Sequence, residues 1–262
     1  PVVIGYDRRF LSKEAVIWSC EILGQQGIRV LFVDRSSPTP LIMFYVMKHD
    51  LSYGMMVTAS HNPAIYNGIK VFTRGGRDAD EHQTADIEKY LEQAEKLYVP
   101  DPEENGQMPP HAYQELVKSG RVVEMNPMNE YLDNIISLIN LDAIRERDLR
   151  IAIDPMYGVS LTALCTILSI ARCTVETINS QHDTLFGGKM PAPTESTLRS
   201  LQNYVLDRYC DIGIATDGDA DRLGVIDDKG HYLHANTILV MLYYYLLKYR
   251  GWRGPAVRNL SR

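Results

Sequence analysis

The sequence predicts an α/β protein made of two similar three-layer α/β/α domains, each around a mixed, mostly parallel sheet. Three observations point there. Short apolar or β-branched runs alternate with helix-length segments, as parallel strands require, because each parallel neighbour needs a crossover. The order of elements then repeats in the second half of the 262-residue chain. In both halves a strand runs straight into a polar loop, Thr58–Pro63 and Thr216–Arg222, at the carboxyl edge where such sheets carry function.

The first half opens with the apolar run Val2–Tyr6, ending at Asp7. Ser12 is expected to cap a helix, with Glu14 in its first turn and Ala15, Trp18 and Ile22 on one face. Gly27 ends it. Ile28–Val33 reads as a strand ending at Asp34, and Pro38-Thr39-Pro40 breaks the chain before a helix over Leu41–His49. Met55-Met56-Val57 is a third strand, and Gly68–Phe72 a fourth. Asp78–Leu97 reads as a solvated helix, Pro100–Pro110 as a loop, and Tyr131–Ile139 as a bridging helix.

The second half repeats the series. Leu149–Ile153 is a strand ending at Asp154, followed by a helix over Ser160–Ile170 and a strand over Val175–Ile178. A Gly- and Pro-rich loop, Phe186–Thr194, again carries a Pro-x-Pro element at Pro191 and Pro193. A helix over Glu195–Asp207 leads to the strand Asp211–Ala215 and the acidic loop, and a hairpin around Asp228-Lys229-Gly230 closes the unit. Domains over 1–140 and 141–255 are expected, with 256–262 opening a further one. Pro1 already lies inside an apolar run and Ala256–Arg262 looks like a strand just starting, so the chain is expected to be a piece of a longer protein.

Composition narrows the function. Lys plus Arg number 27 against 33 Asp plus Glu, a net charge of −6, which argues against nucleic acid or an anionic membrane as partner. The longest apolar run, Ile238–Leu247, is far short of the roughly 20 residues that span a bilayer, and no basic-then-apolar leader opens the chain. Cys20, Cys165, Cys173 and Cys210 show no C-x-x-C spacing, so free thiols in a reducing cytoplasm are expected.

Asp217, Asp219 and Asp221 alternate, so in extended chain they share one side and repel unless a cation sits between them. Hard oxygen donors select Mg²⁺, Ca²⁺ or Mn²⁺ over zinc. Three other readings stand beside this one: a calcium EF-hand loop, an aspartyl-phosphate phosphatase with Asp217 as nucleophile, and a plain acidic turn. The EF-hand pattern lacks Gly at its sixth position, where Arg222 stands. Ser60 has His61 beside it and Lys70 on the next strand, with neither a G-x-S-x-G elbow nor a Ser-His-Asp order. A phosphorylated Ser60 would bring a charge of about −2 toward that cation. Arg9, Lys70 and Arg222 are the cations available to offset it.

At these residues the chain resembles the α-D-phosphohexomutases, the phosphoglucomutase/phosphomannomutase family. Thr58-Ala59-Ser60-His61-Asn62-Pro63 is similar to its phosphoserine loop and Asp217-Gly218-Asp219-Ala220-Asp221-Arg222 to its metal loop. Gly5-Tyr6-Asp7-Arg8-Arg9 and Asn67-Gly68-Ile69-Lys70 are similar to its D-x-R and N-G-x-K elements. The resemblance implies that Ser60 exchanges a phosphoryl group with a sugar. Asp217, Asp219 and Asp221, with an oxygen on Ser60, would hold one Mg²⁺. Arg9, Arg222 and Lys70 would contact the phosphoserine or its surroundings, with Lys70, and less so His61, as proton carriers. It further implies a cytoplasmic isomerase that interconverts hexose 1- and 6-phosphates through a hexose 1,6-bisphosphate. Glucose and mannose are the expected sugars, with phosphoglucosamine mutase and a non-catalytic binding member as alternatives. The family's third and fourth domains read the sugar and grip its phosphate; neither is expected within this chain, so the fragment alone should be inactive.

Overall fold

The computed structural model describes residues 1–97 and 112–257; the expected Pro100–Pro110 loop lies outside them. The first sheet contains β1 (Val2–Tyr6), β2 (Val30–Val33), β3 (Tyr53–Val57), β4 (Ile69–Thr73), β5 (Arg77–Asp78) and β6 (Val122–Met125), in the order β5-β4-β3-β1-β2-β6. The second contains β7 (Arg150–Asp154), β8 (Thr174–Thr177), β9 (Ile212–Thr216), β10 (Leu223–Asp227) and β11 (Tyr232–Leu233), in the order β11-β10-β9-β7-β8. Strand for strand the two orders coincide, and β6 is an addition on the far edge of the first. Each sheet is parallel around its central strand (β1 with β2 and β3, β7 with β8 and β9) and antiparallel in the edge hairpins. Those hairpins supply half of the strand pairings in the second sheet, so both sheets are mixed, as expected.

Helices cover both faces of each sheet. Alternation along β1 sends Val2, Ile4 and Tyr6 to one face, where they meet Val16 and Cys20 of α1 (Ser12–Gln25) and Leu116 of α4 (Ala112–Lys118). Val3 turns the other way, toward Leu41, Ile42 and Val46 of α2 (Thr39–Lys48) and the flank of α5 (Met128–Leu138). α3 (Glu81–Leu97) follows β5, ahead of the undescribed residues, and α6 (Leu141–Arg145) leads into the second unit. In the second unit α7 (Leu161–Ile170) packs Leu164 and Leu168 on Ile151 and Ile153, while α8 (Arg199–Asp207) packs Leu201 and Val205 on Ala152 and Ala215. The run Ile238–Leu247 forms the middle of α9 (Ala235–Lys248), none of whose side chains is buried.

Three expectations are corrected. Ser12 does not cap α1: Leu11 holds that position with φ 57°, and the Ser12 hydroxyl donates to Asp7 Oδ1 at 3.0 Å instead. The buried stripe of α1 is Val16, Cys20 and Gly24, spaced by four, while Trp18 and Ile22 are 46% and 55% exposed. Gly24 sits in it because a Cβ there would lie 2.8 Å from Leu116. The helix expected from Glu195 starts only at Arg199, since Thr194 and Thr197 close the preceding turn on each other through the Thr197 hydroxyl.

The chain leaves β1 toward β2 and then crosses back to β3 on the other side of β1. The crevice at the carboxyl ends of β1 and β3 is therefore a topological switch point. The same holds for β7, β8 and β9. The residues that follow β1, β3, β7 and β9, with Lys70 of β4, make up the site.

Candidate functional site

Asp7, at the end of β1, organises the first loop. It is 1% exposed and accepts from the Arg9 amide (2.9 Å), the Ser12 hydroxyl (3.0 Å) and the Thr58 hydroxyl (2.7 Å). Thr58 Oγ1 in turn accepts from the Ser60 amide at 2.9 Å. Ser60 has φ 52°, a left-handed conformation that a non-glycine residue holds only when its surroundings enforce it. Arg9 supplies that enforcement. Its Nη1 donates to the carbonyls of Pro63 and Tyr66, and its Nη2 to those of Ser60 and Asn62. Nε lies 3.2 Å from Asp7 Oδ2 as an ion pair, but its N–H is not aligned for a hydrogen bond. With its terminal N–H groups engaged by carbonyls, Arg9 holds the loop's shape, and the guanidinium stacks 4.9 Å over the Phe186 ring of the second half.

Asp154 plays the matching part at the end of β7. Its carboxylate accepts from the Met156 amide, two residues on, as Asp7 does from Arg9, and from Asn179 Nδ2. Beyond β9, Asp217 Oδ1 accepts from the amides of Asp221 and Arg222, both at 3.0 Å. This curls the loop so that one carboxylate oxygen from each of Asp217, Asp219 and Asp221 falls within 4.8 Å of the others.

The two loops meet. Ser60 Oγ donates to Asp217 Oδ2 at 2.7 Å, and His61 Nδ1 stands 3.4 Å from the same hydroxyl. Lys70 Nζ reaches from β4 to Asp219 Oδ2 (2.7 Å) and Asp221 Oδ2 (2.6 Å). Arg222 stays at the rim, half exposed, with Nε 3.9 Å from both Asp217 Oδ2 and Asp221 Oδ1. Arg8 joins the halves farther out, donating to the carbonyls of Tyr157, Ser180 and Gln181. The structure thus brings together every residue singled out in the sequence. It adds three that were not: Thr58, Gly218, whose backbone touches the Ser60 loop, and Thr39. Each is a small residue whose contact is visible only in three dimensions; the repeated Pro-x-Pro element was the one signal pointing at Thr39.

Charge decides what the cluster can hold. Unit charges about 4 Å apart interact by roughly 4 kcal/mol at an effective dielectric constant of about 20, so three carboxylates facing Lys70 and the half-exposed Arg222 are under-compensated. Burial, and next the facing Asp219, push the Asp217 carboxyl up to about 7. Burial would raise Asp219 too, but the Lys70 ammonium outweighs it and holds that carboxyl below its ordinary value. Lys70 itself is raised, because Asp219 and Asp221 overcome the cost of burying its charge. Burial and then Arg222 lower His61, which leaves a neutral imidazole beside Ser60. Asp219 Oδ1 is buried and meets no hydrogen-bond donor among the described residues. An anionic oxygen left so, among two further carboxylates, fits a hard divalent cation such as Mg²⁺ or Mn²⁺.

Comparison with known proteins agrees with this geometry. A family model described as phosphoglucomutase/phosphomannomutase, alpha/beta/alpha domain I, matches residues 1–98, and its domain II counterpart matches residues 129–230. The chain is 33% identical over 263 residues to the "Probable phosphoglucosamine mutase" of Pyrococcus abyssi, covering 99% of this chain and 53% of that protein. It is 31% identical over 253 residues to the phosphoglucosamine mutase of Methanococcus vannielii, covering 94% and 51%. A phosphoglucomutase/phosphomannomutase family protein from Burkholderia thailandensis shares the fold, with TM-score 0.70 and 22% identity over 95% of this chain and 51% of that one. The chain spans about half the length of the curated relatives it matches. Its two matched domains, in order and joined by the loops just described, place the chain in the phosphoglucomutase/phosphomannomutase family.

Proposed function

We propose that this chain carries the phosphoryl-transfer half of a phosphohexomutase. The observation that carries the reading is the Ser60 hydroxyl, held 2.7 Å from Asp217 at the mouth of the three-aspartate cluster. In the proposed reaction a phosphoryl group passes from Ser60 Oγ to the free hydroxyl of a hexose monophosphate. The P–O bond to serine breaks as the bond to sugar forms, and the sugar hydroxyl gives up its proton. That proton ends on the vacated Ser60 oxygen. The bisphosphate then turns over, its other phosphoryl group returns to Ser60 Oγ as the serine hydroxyl gives up its proton, and the sugar oxygen whose P–O bond breaks takes one up.

The residues divide the work. Asp217, Asp219 and Asp221 would hold a divalent cation, which when bound supplies positive charge to the phosphoryl oxygens. Arg9 and Asp7 fix the Ser60 loop in its left-handed shape. Lys70, kept charged by two aspartates, suits charge compensation better than proton abstraction. His61, kept neutral, is the better placed proton acceptor. Arg222, half exposed at the rim and only loosely paired with Asp217 and Asp221, can swing onto a phosphate, and Arg suits bidentate contact.

For the sugar, the relatives' names favour a hexosamine phosphate at least as well as glucose or mannose phosphate. The test is to incubate the chain with glucosamine, glucose or mannose 1,6-bisphosphate and Mg²⁺, then digest it. Phosphate on the Ser60 peptide, absent from Ser60→Ala, supports the reading. Phosphate carried by Asp217 instead would replace it with an aspartyl-phosphate mechanism.

A further inference from the structure

We infer that Thr39 is a positioning residue that sets the direction of the Asp219 carboxylate, so that the first half of the chain aims a ligand oxygen belonging to the second. This rests on the reading of the aspartate cluster as a cation site. Thr39 is the first residue of α2, between Pro38 and Pro40, and is 1% exposed. It grips Asp219 at both ends: its backbone amide donates to the Asp219 carbonyl at 2.9 Å, and its hydroxyl donates to Asp219 Oδ2 at 2.6 Å.

The amide is one that a helix leaves without an internal partner at its N-terminus. Here it is used 180 residues away, on the neighbouring unit. Pro38, with φ −62° and ψ 141°, and Pro40 restrict the chain on either side, so the grip is prepaid in backbone entropy. The Lys70 ammonium also lands on Oδ2. Two donors on one oxygen prevent the carboxylate from turning. The oxygen left over is Oδ1, buried and with no donor among the described residues. Lys70 supplies charge but reaches this oxygen on a flexible stem with 29% of its side chain exposed. Thr39, short and fully buried, is the group that fixes the angle. Partners of this kind behind a metal ligand are worth roughly tenfold to a hundredfold in affinity.

Mn²⁺, which suits the same oxygen donors, is the probe. Its dissociation constant is measured by electron paramagnetic resonance on the full chain, on Thr39→Val and on Thr39→Ser, with thermal melting alongside. Thr39→Val keeps the shape and the amide but removes the hydroxyl; Thr39→Ser restores it. Binding of one Mn²⁺ by the parent, weakened about tenfold in Thr39→Val and recovered in Thr39→Ser with both variants melting as folded proteins, is the expected result. If Thr39→Val proves unfolded, Thr39→Ala, which leaves room for water at the carboxylate, takes its place with the same expectation. Equal Mn²⁺ affinity in parent and hydroxyl-free variant would overturn the positioning role and leave the cation site standing. A parent that binds no Mn²⁺ would overturn the cation site and this inference together.

Discussion

Ser60 and Asp217, whose side chains hydrogen-bond across the two units, occupy equivalent places in them. Tyr6 pairs with Val57 across β1 and β3, and Ile153 pairs with Ile214 across β7 and β9. Tyr6 and Ile153 immediately precede the two matching aspartates, Asp7 and Asp154. Ser60 and Asp217 each follow their strand partner by three residues. One position of a repeated α/β unit has thus become a hydroxyl in one copy and a carboxylate in the other, and the copies are packed so that these two atoms touch.

If Asp217 is charged at a cost, Asp217→Asn should stabilise the cation-free chain while weakening Mn²⁺ binding at least tenfold. Asn keeps an oxygen for the Asp221 and Arg222 amides, turns an amide donor toward Ser60 Oγ, which can accept, and removes the repulsion from Asp219. Melting with and without Mn²⁺ checks both halves of the expectation; a variant that melts below the parent in the absence of cation contradicts it.

The same carboxyl sets a pH dependence. Its folded value, about 7, lies above the ordinary 3.8, so the folded state binds the extra proton. Stability without cation should therefore fall as pH rises from about 4 to about 7. Asp219 is shifted the other way, and its contribution is lost only as pH drops below its ordinary range. Stabilisation by Mg²⁺ should be larger at pH 8 than at pH 5, and binding at about pH 6 should release protons, as metal ligands must deprotonate. Calorimetry in buffers of different ionisation heat reads that release; a buffer-independent heat would count against it.

How far the sequence carried this reading depends on the scale of the feature. The succession of strands and helices along the chain, the two polar loops and the acids at i, i+2 and i+4 are local patterns and are visible in the chain, whereas the order of strands across each sheet is not. The buried stripe of α1 was not, because Trp18 and Ile22 satisfy helical spacing as well as Val16 and Cys20 do, and only docking against Leu116 chooses between them. Arg9 was legible as a cation near Ser60, whereas its engagement with four carbonyls of the Ser60 loop depends on a left-handed turn that no residue type announces. Thr39 and Gly218 act across units, where sequence distance hides contact.

Gly218→Ala tests the seam between the loops. A Cβ at this position would stand 2.9 Å from the Ser60 carbonyl, a backbone atom that yields only if the loop moves. Overpacking of this kind costs about 1–3 kcal/mol. Melting should drop accordingly, and Mn²⁺ affinity should fall although no ligand has been altered. A crystal structure with the Ser60–Asp217 contact unchanged would refute the expectation.

Arg9→Ala should be the most damaging of these changes. It leaves Asp7 buried without its counter-charge and releases the carbonyls of Ser60, Asn62, Pro63 and Tyr66, a loss of about 3–5 kcal/mol for the broken buried pair. Faster amide exchange confined to residues 58–68 is expected before global unfolding; exchange unchanged there would show that the loop holds itself.

The exposed helix α9 governs how this chain behaves in a concentrated solution. No charged residue occurs from Ala235 to Leu247, and Val240, Met241 and Leu242 are each more than half exposed. Apolar area in contact with water is unfavourable by about 25 cal/mol for each Å², whereas the overall charge of −6 repels another molecule only within a screening length of about 8 Å at physiological salt. At contact distance greasy adhesion therefore beats repulsion. Light scattering of the chain should climb with concentration and with added sulfate, subside with mild detergent, and stay flat when Val240 and Leu242 are replaced by glutamate.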